Sequence, residues 1–66
     1  MNDALNLIKL TISGPQGSGK SLLALDLVRY LHKTGFSVSF PEEGLLLSTS
    51  GSTTLITIIT KQEKNR

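Results

Sequence analysis

The chain has 66 residues, no cysteine, one histidine and a net charge of +2, from seven Lys and Arg against five Asp and Glu. A chain of this length supports one domain at most, and it buries only about 60% of the surface its unfolded form exposes. It lacks both a disulfide staple and the ligands of a zinc site, so stability must come from a small core, a bound ligand or a partner chain.

Met1 to Asn6 reads as a frayed start, and Leu7 to Ser13 as the first strand. Ile8, Leu10 and Ile12 alternate there with Lys9, Thr11 and Ser13, the period of two of a strand with one apolar and one polar face. A Gly-rich loop follows, and then a helix over Lys20 to Lys33. Its apolar stripe is Leu23, Leu27, Tyr30 and Leu31, widened by Ala24 and Val28. Asp26, Arg29 and Lys33 form its solvated side. Leu22 and Leu25 flank the stripe, either as a partner surface or as residues reaching around the core edge. Gly35 suits a left-handed helix stop.

Phe36 to Phe40 alternates again, with Phe36, Val38 and Phe40 facing in and Ser37 and Ser39 facing out. It reads as a second strand, brought parallel to the first by a right-handed crossover. Pro41 ends it, and Glu42-Glu43-Gly44 forms a loop at the end where an open parallel sheet binds ligands. Leu45–Ser50 and Thr53–Thr60 are both strand-like. Gly51-Ser52 between them favours a hairpin pairing Leu45–Ser50 with Thr53–Ile58, the alternative being one loop and a single third strand over Leu55–Thr60. Residues 1–60 are thus one minimal domain, and Lys61 to Arg66 is a polar, disordered tail. The expected fold is α/β: a β-α-β unit plus a β-hairpin, a small sheet with one helix on one face. The polar sides Lys9/Thr11/Ser13 and Ser37/Ser39 would leave the second face open to solvent or to a second chain.

The chemistry concentrates in Gly14-Pro15-Gln16-Gly17-Ser18-Gly19-Lys20-Ser21, which fits G-x-x-x-x-G-K-[ST] between a strand and a helix. Glycines let the backbone curl so that successive N–H groups point inward at an anion, and the helix behind adds its positive end. At these residues the chain resembles the P-loop (Walker A) superfamily of nucleoside triphosphatases and kinases, over roughly residues 7 to 40. The resemblance implies ATP or GTP with Mg²⁺ as ligand, Lys20 on the β- and γ-phosphates, and the Ser21 hydroxyl on the metal. Ser13 and Ser18 could add hydroxyls near the phosphates.

The chain also departs from that family. A full-size P-loop domain has a first strand apolar on both sides, with helices on both faces of its sheet; here Lys9 and Thr11 make one side polar. The metal is usually held jointly with an Asp ending an apolar strand, whereas Lys61-Gln62 follows Leu55–Thr60, and the two aspartates, Asp3 and Asp26, lie elsewhere. No arginine is placed as a finger, and there is no lid. Glu42 and Glu43 are the compensating candidates: by resemblance to some P-loop kinases, one of them could hold a metal-bound water or orient a nucleophile. The plainer reading is two solvated glutamates in a turn. His32 reads as a surface residue.

Other function classes recede on composition. The basic residues are dispersed except at the C-terminal end, where Glu63 dilutes them, and aromatics are few, so neither a nucleic-acid patch nor a base-stacking platform is indicated. No apolar run approaches the length of a membrane span, and Met1-Asn2-Asp3 lacks a basic signal-peptide start, which makes a cytoplasmic location the default. Three functional readings follow: a triphosphate-binding module with little or no hydrolysis; a small kinase-like or NTPase enzyme completed by Glu42/Glu43 or another subunit; and an interaction module with a vestigial loop. A homo-oligomer or protein partner would use the open sheet face and Leu22/Leu25. The chain reads either as a minimal protein or as the start of a longer domain.

Overall fold

A computed structural model describes residues 6–63; Met1–Leu5, all of the expected frayed start but Asn6, and Lys64–Arg66, half of the expected tail, lie outside the described residues. The elements are β1 (Asn6–Gly14), α1 (Lys20–Lys33), β2 (Ser37–Phe40), a short 3₁₀ turn (Pro41–Glu43), β3 (Leu45–Leu47) and β4 (Thr54–Gln62). They form one four-stranded mixed sheet in the order β1-β4-β2-β3, with β1, β4 and β2 parallel and β3 antiparallel to β2. Among the described residues the α/β class, the β-α-β unit, one helix and a hairpin are all present.

The hairpin is not where the Gly51-Ser52 turn would put it. β3 pairs with β2, Val38 opposite Leu47 and Phe40 opposite Leu45, through the Pro41–Glu43 turn. That turn closes on Gly44 in the left-handed conformation (φ 65°), which a residue with a Cβ rarely adopts. The Ser48–Thr53 segment instead carries the chain under the start of β2. The Thr49 amide donates to Ser37 Oγ (3.0 Å) and the Thr49 hydroxyl to the Phe36 carbonyl (3.0 Å). His32, half-buried rather than free on the surface, places Nε2 3.2 Å from the Ser48 carbonyl oxygen. β4 then enters between β1 and β2.

The central position suits β4's composition. Its pairs Leu55–Ile56 and Ile58–Ile59 put apolar side chains on both faces; Ile56 and Ile58 are buried on the helix side, while Leu55 and Ile59 are half-buried on the other. The register aligns Ile8, Ile56, Val38 and Leu47 in one row, and Leu10 with Ile58 in the next. β4 also runs on through Lys61 and Gln62, opposite Ser13 and Gly14, two residues into the expected tail.

The helix stops as its sequence predicts. The Gly35 amide (φ 108°) donates to the His32 carbonyl and the Phe36 amide to that of Leu31, which satisfies two of the last open carbonyls. Its buried face is rotated from the expected stripe. Ala24 and Val28 are fully covered and join Val38, Phe40, Ile56 and Ile58 in the core, with Leu25, Leu27 and Leu31 packed against it. Leu23 and Tyr30 are exposed. The reason is where α1 sits: it lies over β2 and β4 and touches β1 least of the three. The side of the helix that carries Leu23 and Tyr30 therefore overhangs an uncovered strand. Leu25 proves to be a core-edge residue, whereas Leu22 stands out in solvent at 71% exposure. Among the described residues, no helix covers the far face of the sheet. It holds Lys9, Thr11, Ser13, Ser37 and Ser39 as expected, and also Leu7, Leu46, Leu55 and Ile59.

Candidate functional site: the loop between β1 and α1

Gly14 ends β1 and is buried between the sheet and the loop it opens. A Cβ there would lie 2.9 Å from Ser18 Oγ and 3.6 Å from two carbons of the Lys20 side chain, so a glycine keeps this approach open. The loop then makes a tight turn, the Ser18 amide donating to the Pro15 carbonyl at 3.2 Å, with Gly17 at φ 82° in the third position where such turns need a glycine. Gly19 (φ 88°) caps the helix without a side-chain hydrogen bond, and the Leu23 amide closes the first turn on its carbonyl. The first turn of α1 has no acidic residue to satisfy its open N–H groups, so its positive end is left facing the loop.

A cleft of about 280 Å³ opens here, lined by Ile12, Ser13, Gly14, Pro15, Ser18, Gly19, Lys20 and Leu23. Of the residues singled out in the loop, Gln16 and Gly17 lie on its outer turn, and Ser21 is exposed on the first turn of the helix outside the lining. Lys20 is half-buried and folds back over the loop, donating from Nζ to the Pro15 carbonyl at 3.1 Å. Pro15 thus accepts two hydrogen bonds, one from the backbone and one from the side chain that borders the cleft.

The two glutamates part company. Glu43 is exposed in the 3₁₀ turn. Glu42 turns back to the sheet, where β2 has ended and β4 continues without it. Its carboxylate accepts the Thr60 amide at 2.8 Å and the Thr60 hydroxyl as well. A side chain here takes the place of a strand partner and closes the edge of β4. These two Thr60 donors, with Lys20 a smaller influence, hold the Glu42 carboxyl below its ordinary range. Glu42 is thus a fixed acidic group beyond the end of β2, outside the residues that line the cleft.

Thr60 is the residue that sequence reasoning missed. It stands eighteen positions from Glu42, and the two meet only because β4 is inserted next to β2. Glu63 falls in the expected tail, yet its amide donates to the Gly14 carbonyl at 2.9 Å and fastens the end of β4 to the base of the loop. Among the described residues, no cluster of three or more His, Cys, Asp or Glu side chains could hold a metal by itself, and no helix is long and apolar enough to cross a membrane. The chain was compared with family models, curated proteins and solved structures, and nothing matches in any of the three.

Proposed function

We propose that this chain is a minimal nucleoside triphosphate-binding module of the P-loop kind, taking ATP or GTP with Mg²⁺ and turning it over little or not at all. One observation carries the reading: a glycine-built loop and the open N-terminal end of a 14-residue helix border one cleft together with Lys20. A phosphate oxygen entering the cleft would replace the Pro15 carbonyl as acceptor for Lys20 Nζ. The cleft is just under the size range of sites that enclose a whole small ligand, about 300–1,000 Å³, which suits the phosphate end and leaves the nucleoside outside. Mg²⁺ keeps several waters and needs few protein ligands when phosphates supply the rest. Ser21, exposed on the first helical turn outside the cleft lining, would supply the hydroxyl ligand, and phosphate oxygens and water the rest. A cytoplasmic location accords with such a ligand.

The enzyme reading rests on Glu42. A carboxylate fixed by Thr60 and near enough to Lys20 to feel its charge could orient a metal-bound water or an attacking hydroxyl. Two measurements separate the readings. In calorimetry with ATP and GTP in Mg²⁺, the wild type binds saturably, and Lys20→Ala weakens binding by about 10- to 100-fold, the loss expected for a hydrogen bond to a charged group, with an unchanged circular dichroism spectrum. A wild type that binds neither nucleotide, or equal affinity in the variant, refutes both readings and leaves an interaction module with a vestigial loop. Phosphate release that vanishes in Glu42→Gln but persists in Glu43→Gln identifies an enzyme; binding without release identifies the module.

A further inference from the structure

We propose that the outer edge of β1 is a pairing surface for a second copy of this chain, joined in antiparallel register about a two-fold axis at Leu10. The two edges of the sheet differ. β3 is three residues long, the short strand by which proteins blunt an edge. β1 is nine residues long and outermost, with neither proline nor a break in its register to β4. Its exposed apolar residues lie on both faces: Leu7 on the helix-free side, Ile8 and Leu10 beside the overhang of α1.

Backbone direction fixes which residues are free to pair. The Asn6 amide donates to the Thr53 carbonyl, and the Gly14 carbonyl accepts from the Glu63 amide. Even-numbered residues of β1 therefore aim their N–H and C=O groups at β4, and the alternation of a strand aims those of Leu7, Lys9, Thr11 and Ser13 outward. Antiparallel self-pairing must use these odd residues as its hydrogen-bonded pairs. Centring it on Leu10 engages the whole strand. Leu7 then bonds Ser13 of the partner subunit, and Lys9 bonds Thr11 of the partner subunit. Between them Ile8 packs on Ile12 of the partner subunit, and Leu10 on Leu10 of the partner subunit, in the close non-hydrogen-bonded positions. No like charges oppose each other. Centring on Lys9 would set two ammonium groups face to face, and centring on Thr11 would leave Leu7 unpaired and Ile8 against a glycine. The sequence is self-complementary in the one register that its free amides and its full length allow.

The result would be a continuous eight-stranded sheet with the two loops at opposite ends, so the proposal stands independently of the phosphate reading. The test combines sedimentation with amide hydrogen exchange on the wild-type protein across a dilution series. The expected outcome is a concentration-dependent dimer in which the Leu7, Lys9, Thr11 and Ser13 amides gain about tenfold or more protection on association, while those of Ile8, Leu10 and Ile12 are protected in monomer and dimer alike. Thr11→Pro removes an outward amide and no bond to β4, so it should stay monomeric and folded. A wild type that is monomeric at millimolar concentration overturns the proposal. So does a dimer whose odd-numbered amides exchange freely, or a folded Thr11→Pro that still dimerises; were that variant to unfold, the wild-type exchange pattern decides alone.

Discussion

Ile8 and Ile56 are the same residue in the same row of the sheet, one strand apart, yet Ile8 is 45% exposed and Ile56 5%. The next row repeats the contrast, with Leu10 at 36% and Ile58 at zero. Chain pattern does not distinguish these residues; the helix does. A helix with its side chains is about 10–12 Å across, and strands lie about 4.8 Å apart, so one helix covers roughly two strands. α1 covers β2 and β4. β1, which carries the candidate site, keeps its backbone ladder with β4, the loop it feeds and, through half-buried Ile12, a contact with the core. The molecule thus has a packed half that holds the fold and a hydrogen-bonded half that presents the chemistry.

The largest effect should come from cutting into the packed half. Ile58→Ala should cost about 2–5 kcal/mol, as buried large-to-small substitutions do. A core this small seldom supplies more than about 3–5 kcal/mol in total, so the variant should be substantially unfolded at room temperature. Leu10→Ala, its row neighbour, removes a side chain that water already reaches. At concentrations where the chain is monomeric it should cost about 1 kcal/mol or less. Urea unfolding followed by circular dichroism measures both, and equal losses would break the division between halves.

Within the exposed half, the glycines of the loop offer an intermediate test. Gly19→Ala puts a Cβ on a residue at φ 88°, a strain of about 1–2 kcal/mol. It should lower the melting temperature modestly and weaken nucleotide binding as well. Gly14→Ala meets no such strain, and its Cβ meets the Ser18 hydroxyl. Ser18 is exposed and free to rotate, so the loss should be smaller than at Gly19, and adding Ser18→Ala should recover it. A Gly14→Ala loss that persists in the double variant would place the conflict at the Lys20 side chain instead.

Which parts were legible in the sequence follows the same line. β1 and α1 were readable because their periodicities are local, and the loop because its residue types and spacing are. The placement of β4 left only a weak trace: Leu55–Ile56 and Ile58–Ile59 make it more apolar than the one-sided β1 and β2, but the Gly51-Ser52 pair offered a nearer and simpler hairpin. The Glu42–Thr60 contact could not be read before β4 was placed, since it belongs to strand order and to no local pattern. The exposure of Leu23 and Tyr30 was hidden for a related reason. A helical stripe shows which side is apolar, and only the sheet's strand order shows how much of that side finds something to cover.

The smallest effect, and the one that tests how the two halves are joined, concerns Glu42. Its carboxyl is held below the ordinary range by the Thr60 hydroxyl and amide, with Lys20 contributing less. A depressed acid stabilises the folded state above its unfolded value, near 4.3, and that contribution fades as pH falls through the lower folded value. The melting temperature of the wild type should therefore drop on acidification below about pH 4.3 by more than that of Glu42→Gln. Thr60→Val, which keeps the amide and loses the hydroxyl, should fall between them. Because Glu42 is exposed, the differences will be slight and need parallel titrations at fixed salt. If wild type and Glu42→Gln decline together, the carboxylate does not fasten the turn after β2 to β4, and the acidic group beyond the end of β2 loses the fixed position that the enzyme reading needs.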